Sequence, residues 1–216
     1  MKPRFDAVLF DLDGTLLDTL ADIAGAGNHV LTTFGLPPRP VADYRHLAGQ
    51  GARWLMEQAL GASHQDRIDE GVALLKAWQL EHGLDHTRPY EGIPELLDAL
   101  SARALPMAIL SNKPHPATLI AVRERLGRWR FAAVQGAQDN LPLKPDPTVA
   151  LAIAAKLSID PARVLYIGDT RADMETAHRA SMYPVGALWG FRDENELRDA
   201  GAKVLVEHPA EVILLL

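Results

Sequence analysis

The chain has 216 residues, of which 48% are hydrophobic and 23% charged, with a formal net charge of −6 at neutral pH. That length supports a sizeable core, the composition is that of a globular protein, and the acidity argues against nucleic acid or an anionic membrane as the main partner. There is no cysteine, which excludes disulfides, thiolate zinc sites and cysteine nucleophiles and fits a reducing, cytoplasmic setting.

Met1-Lys2-Pro3-Arg4-Phe5-Asp6 has no apolar signal core and runs straight into Ala7-Val8-Leu9-Phe10, an apolar stretch that reads as a buried strand of a parallel sheet. Asp11-Leu12-Asp13-Gly14-Thr15-Leu16-Leu17-Asp18 follows. Thr19 to Phe34 has helical spacing and stops at Gly35 and the Pro37-Pro38-Arg39-Pro40 cluster. Arg53 to Leu60 and Asp66 to Glu81 read as amphipathic helices, and no strand-like alternation is evident before residue 90. A wholly helical insert directly after the first strand is too long for a plain crossover. The expected division is therefore a core over residues 1–17 and 90–216 with a helical cap over 18–89, and the two joints adjacent enough to act as a hinge.

From Tyr90 the pattern alternates. Helices are expected over Ile93–Arg103, Pro116–Leu126, Pro147–Leu157 and Arg171–Ala180. Strands are expected over Pro106–Asn112, Phe131–Gly136, Arg163–Asp169, Pro184–Trp189 and Lys203–Val206. The fold class is α/β, a Rossmann-like doubly wound parallel sheet with an inserted all-helical cap. Arg123, Arg125, Arg128 and Arg130 around Trp129 read as a solvated helix end, Val212–Leu216 as a docked helix end, and the eight histidines as loop or surface groups. No apolar run approaches the ~20 residues that span a bilayer.

Polar residues recur where apolar strands stop: Asp11 and Asp13, Ser111-Asn112, and Gly168-Asp169, with Lys144 in a loop and Asp173 just beyond. In a parallel sheet these ends share one edge, where ligands bind. Side-by-side carboxylates need a cation or a shared proton. An aspartate can attack phosphorus, a neighbouring acid can protonate a leaving alkoxide, and a hydroxyl and a lysine can hold phosphoryl oxygens. Asp11, Asp169 and Asp173 bring about −3, a phosphate ester about −2 and Lys144 only +1. A divalent cation is thus required, and oxygen-only ligands favour Mg²⁺. A calcium loop at Asp-x-Asp-Gly is opposed by Leu16 and Leu17.

The sequence resembles the haloacid dehalogenase superfamily in its phosphatase branch. Asp11-Leu12-Asp13-Gly14-Thr15, Ser111-Asn112, Lys144-Pro145-Asp146-Pro147 and Gly168-Asp169-Thr170 with Asp173 match the family's four motifs in order. The resemblance implies that Asp11 is the nucleophile and Asp13 the acid/base. Ser111 and Lys144 would hold the phosphoryl group. Mg²⁺ would be bound by Asp11, the Asp13 carbonyl and Asp169, with Asp173 direct or through water. An acid at Asp13 suits an alkoxide leaving group rather than a halide. The helical insert resembles the family's C1 cap. Leu47-Ala48-Gly49-Gln50-Gly51-Ala52-Arg53, Asn112-Lys113-Pro114 and Thr87-Arg88-Pro89-Tyr90-Glu91-Gly92-Ile93 are similar to phosphoglycolate phosphatases. On that likeness Thr15, Gly49, Gly51, Arg53, Asn112 and Lys113 would bind substrate. The glycines would allow close approach to a small ligand and Arg53 would meet its carboxylate. The expected partner is a small phosphorylated metabolite, the assembly a monomer or homodimer. Other small-ester phosphatases, pyrophosphatases, β-phosphoglucomutase-like phosphotransferases and a non-catalytic binding module remain open. Ser181, where related chains often have glycine, follows the last motif's helix in a position that favours a left-handed turn.

Overall fold

The computed structural model describes residues 5–216; Met1-Lys2-Pro3-Arg4, part of the polar lead-in, lies outside the described residues. Strand β1 (Ala7–Phe10) comes first, then β2 (Leu17–Asp18), helices α1 (Leu20–Thr33), α2 (Tyr44–Leu47), α3 (Ala52–Leu60) and α4 (Ile68–His82), and β3 (Arg88–Pro89). The chain continues through α5 (Ile93–Ala102), β4 (Met107–Pro114), α6 (His115–Leu126), β5 (Ala133–Ala137), α7 (Thr148–Leu157) and β6 (Val164–Gly168). It ends with α8 (Arg171–Arg179), β7 (Tyr183–Ala187), α9 (Glu194–Asp199), β8 (Val204–Val206) and α10 (Pro209–Val212).

Six strands form one parallel sheet in the order β5-β4-β1-β6-β7-β8. Successive strand residues face opposite ways, so β1 serves two cores. Val8 and Phe10 pack with Leu96, Leu97 and Leu100 of α5 on one face. Ala7 and Leu9 pack with Ala150, Ile153 and Ala154 of α7 on the other. A central strand covered on both faces must be apolar throughout, and all four β1 residues are buried. The α/β doubly wound architecture read from the sequence is the one observed.

Helices α1, α3 and α4 gather around a separate apolar cluster that includes Ile23, Val30, Tyr44, Met56, Leu60 and Leu75. Gly27 permits the closest of these contacts: a Cβ there would lie 2.4 Å from Cε1 of the Tyr44 ring. The chain enters and leaves this helical segment through β2 and β3, which pair antiparallel as Leu17 with Pro89 and Asp18 with Arg88. The Arg88 guanidinium lies 3.5 Å from Asp18, and Tyr90 N–H donates to Leu16 O at 3.2 Å. The two crossings are thus side by side.

This two-residue ladder corrects the expectation of a strand-free segment; strands so short leave no alternation. A 3₁₀ turn over Ala62–Arg67, with His64 out of helical geometry, delays α4 to Ile68. The short helices α2 and α9 also went unread. The arginines near Trp129 are more than a solvated end: Arg125 donates to the Thr87 and Leu84 carbonyls, tying α6 to the β3 crossing, and Arg128 pairs with Asp98. Ser181 does take the left-handed turn after α8, with φ +58°. Among the described residues no helix is long and apolar enough to cross a membrane.

Candidate active site

Because β4, β1 and β6 are adjacent, their carboxyl ends open onto one place. Asp11 follows β1 and its N–H donates to Ile167 O of β6 at 2.9 Å. Ser111 and Asn112 lie within β4, Asp169 directly after β6, and Asp173 in the first turn of α8. Lys144, from the loop before α7, reaches into the middle: its Nζ lies 2.8 Å from Asp11 Oδ1 and 2.6 Å from Asp173 Oδ1. The Asp11 contact is close but off the direction of a hydrogen bond, so that buried oxygen has no aligned donor.

Carboxylate oxygens of Asp11, Asp169 and Asp173, all buried, lie within 4.8 Å of one another. Asp169 is oriented by Thr15 Oγ1, which donates to Oδ1 at 2.8 Å, and by Phe191 N–H, which donates to Oδ2 at 2.8 Å. Asp173 has both oxygens engaged, Oδ1 by Lys144 and the Tyr166 hydroxyl, Oδ2 by the Thr170 N–H and hydroxyl. Gly14, at φ +87°, makes room for the cluster, since a Cβ there would fall 2.2 Å from Asp169 Oδ2.

The charges do not balance. Burial, then the Asp173 carboxylate, pushes Asp11 well above the ordinary carboxylate range. Burial and Asp173 likewise push Asp169 up to about 7. Burial opposes the charge on Lys144, but Asp11 and Asp173 outweigh it and hold the ammonium above its usual range. One lysine facing three buried carboxylates leaves an excess of about −2, and every donor is an oxygen. That set fits a hard divalent cation. Asp11 and Asp169 are the groups with capacity for it, whereas Asp173 is already committed to Lys144, Tyr166 and Thr170.

Asp11 and Asp13 also line a small chamber of about 40 Å³ beneath the helical segment, with Ser111, Asn112 and Lys113. Lys113 Nζ holds Asp13 through both oxygens, at 3.2 and 3.4 Å, and Lys113 N–H donates to Ser111 Oγ at 3.2 Å. Asn112 braces Lys144: its Oδ1 accepts from Lys144 N–H at 2.9 Å, and its Nδ2 donates to the Lys144 and Gly49 carbonyls at 3.1 and 3.0 Å. Gly49 and Gly51 line the chamber at φ +98° and +92°. Their close approaches are to protein atoms: a Cβ would lie 2.9 Å from Thr170 Cγ2 at Gly49 and 2.9 Å from Leu143 Cδ1 at Gly51.

Two residues expected to bind substrate lie off this chamber. Arg53, on the exposed side of α3, is paired with Asp69 and 4.0 Å from Glu57; it lines a neighbouring cavity of about 320 Å³ that shares Gly51, Ala52, Asn112 and Pro114 with the chamber. Thr15 does not line the chamber either and is spent on Asp169. Sequence reasoning also missed a clasp across the chamber rim. Arg192, 6% exposed, donates to the Arg45, His46 and Ala48 carbonyls at the end of α2, and Arg45 donates to those of Gly190 and Phe191. The Phe191 ring is buried in the helical cluster while its N–H holds Asp169. Trp189-Gly190-Phe191-Arg192 belongs to no periodic pattern, and its only sequence signal is two aromatics after the end of β7.

The chain matches the family model described as haloacid dehalogenase-like hydrolase over residues 8–187. It is 36% identical over 216 residues to N-acetylmuramic acid 6-phosphate phosphatase of Pseudomonas aeruginosa, covering 98% of this chain and 95% of that one. It is 32% identical over 197 residues to phosphoglycolate phosphatase of Agrobacterium fabrum, covering 89% and 84%. A crystal structure from Lactobacillus delbrueckii subsp. bulgaricus superposes with a TM-score of 0.89 at 27% identity, covering 96% of each chain. The match spans the first aspartate pair, the lysine loop and the last acidic pair, and the chain belongs to the haloacid dehalogenase-like hydrolases.

Proposed function

We propose that the chain is a Mg²⁺-dependent phosphatase of small phosphomonoesters, with 2-phosphoglycolate as the first substrate, acting in the cytoplasm. The observation that carries this reading is the placement of Asp11 and Asp13 on one chamber wall, with Lys144 2.8 Å behind Asp11. Asp11 and Asp169 would hold the metal with the Asp13 carbonyl, and Mg²⁺ would neutralise charge on the phosphoryl oxygens.

Asp11 attacks phosphorus, forming an aspartyl phosphate as the bond to the leaving oxygen breaks. Asp13 gives its proton to that oxygen, so the alcohol departs neutral. Asp13, now a carboxylate, takes a proton from water as the water cleaves the acyl phosphate, and both groups are restored. Lys144 and the Ser111 hydroxyl bind phosphoryl oxygens, Lys144 being kept charged by Asp11 and Asp173. Lys113 keeps Asp13 turned into the chamber.

In this reading residues 18–89 are a cap on a core of residues 1–17 and 90–216. A volume of about 40 Å³ holds about one water, so substrate enters only when the cap swings at the β2–β3 joint. Closure then shields the aspartyl phosphate. The identity to the Pseudomonas aeruginosa N-acetylmuramic acid 6-phosphate phosphatase favours a second candidate ester. Ranking kcat/KM for 2-phosphoglycolate, N-acetylmuramic acid 6-phosphate, pyrophosphate and hexose phosphates, with no sugar acceptor present, tests the proposal. Mg²⁺-dependent release of free phosphate is expected. Transfer only to an added sugar would make the protein a phosphotransferase instead.

A further inference from the structure

The helical segment covers the chamber with Ile23, Leu47, Leu55 and Leu75, all apolar, and with Gln79. Gln79 stands one turn after Leu75 on α4, on the same face. It is the one polar side chain that segment places on the wall among the described residues. Gln79 is 8% exposed, and its Oε1 has no hydrogen-bond partner among the described residues. A buried amide oxygen with no donor is costly, and a leucine here would continue the apolar lining. Arg53 lines the neighbouring cavity and is paired with Asp69, and Lys113, the only cation on the chamber wall among the described residues, is held by Asp13.

We propose, on the phosphatase reading above, that Gln79 is the specificity-determining residue. Its amide, which carries both a donor and an acceptor, hydrogen-bonds the polar end of the leaving alcohol. The chamber then selects phosphate esters whose alcohol bears a hydroxyl, amide or carboxylate over esters of apolar alcohols. The free protein carries an unpartnered group that the substrate satisfies.

The test compares wild type with Gln79→Met and Gln79→Leu in Mg²⁺, using the best ester of the panel above and phenyl phosphate, whose ring offers no such group. Expected for both variants is a fall of roughly 10- to 100-fold in kcat/KM for the polar ester. Phenyl phosphate should stay within about twofold, and the substrate-free melting temperature should be unchanged or raised, because an unsatisfied polar group has been removed. Gln79→Glu separates the sources of the polar group: it should spare hydroxyl esters and reject carboxylated ones by like charge. Equal losses on both esters, no loss on the polar ester, or a lowered melting temperature would overturn the assignment and make Gln79 a packing residue. A wild-type protein inert toward both esters would bring down the phosphatase reading itself, and this assignment with it.

Discussion

Removing the divalent cation should make the protein less stable as pH rises, the reverse of ordinary acid denaturation. Asp169 has an unfolded-state value near 3.8 and is pushed up to about 7 in the folded protein by burial and by Asp173. Between those values the folded state keeps a proton that the unfolded state has lost, so stability falls with rising pH through that window and levels off above it. The whole shift corresponds to on the order of 4 kcal/mol, at about 1.4 kcal/mol per pH unit. Asp11 is displaced in the same direction and adds to it. From about pH 5 to about pH 8 the metal-free protein should lose roughly 5–10 °C in melting temperature, at 2–4 °C per kcal/mol for a chain of this size. Saturating Mg²⁺ should flatten the slope by supplying the missing charge. The assay is thermal unfolding in chelator and in Mg²⁺ across that range, repeated with Asp169→Asn, which should lose about half of the slope in chelator, the rest being that of Asp11. A metal-free protein that gains stability over this range, or an Asp169→Asn variant with an unchanged slope, would refute the charge argument.

Two further predictions concern the clasp and the helix end. Arg192→Ala leaves the Arg45 and Ala48 carbonyls without their buried donor. It should cost about 1–3 kcal/mol in urea unfolding and raise KM more than it lowers kcat, because the helical segment loses its tie to the loop that holds Asp169; unchanged stability and KM would count against the clasp. Ser181→Gly, at φ +58°, should raise stability by about 0.5–1 kcal/mol, measured by chemical denaturation, by relieving the left-handed turn after α8; a loss would show that the serine side chain has a role of its own.

The sheet and the acidic centre were legible because each apolar strand stops at a residue of different chemistry, and a parallel sheet sends those stops to one edge. Asp11 and Asp169 meet for that reason, and Lys144 from a loop and Asp173 from the first turn of α8 reach the same edge, though the four are up to 162 positions apart. The placing of Arg53 off the chamber was not legible, because residue type and proximity to a glycine loop do not reveal which side of a helix faces inward. The buried stripe of α3 runs through Leu55, Met56, Ala59 and Leu60, and Arg53 lies off it beside Glu57. Gln79 was hidden for the opposite reason: a glutamine in a weakly amphipathic helix reads as solvent-facing. The β2–β3 ladder and the Arg45–Arg192 clasp rest on backbone carbonyls, which every residue carries, so no side-chain pattern announces them.

The central claim is that Asp11 is the nucleophile of a Mg²⁺-dependent phosphatase. Phosphate release from 2-phosphoglycolate and from phenyl phosphate by wild type and Asp11→Asn, in saturating Mg²⁺, tests it most directly. Wild type should release phosphate only with the metal, and Asp11→Asn should be slower by at least roughly a thousandfold on both esters. An Asp11→Asn protein that turns over within about tenfold of wild type would contradict the account.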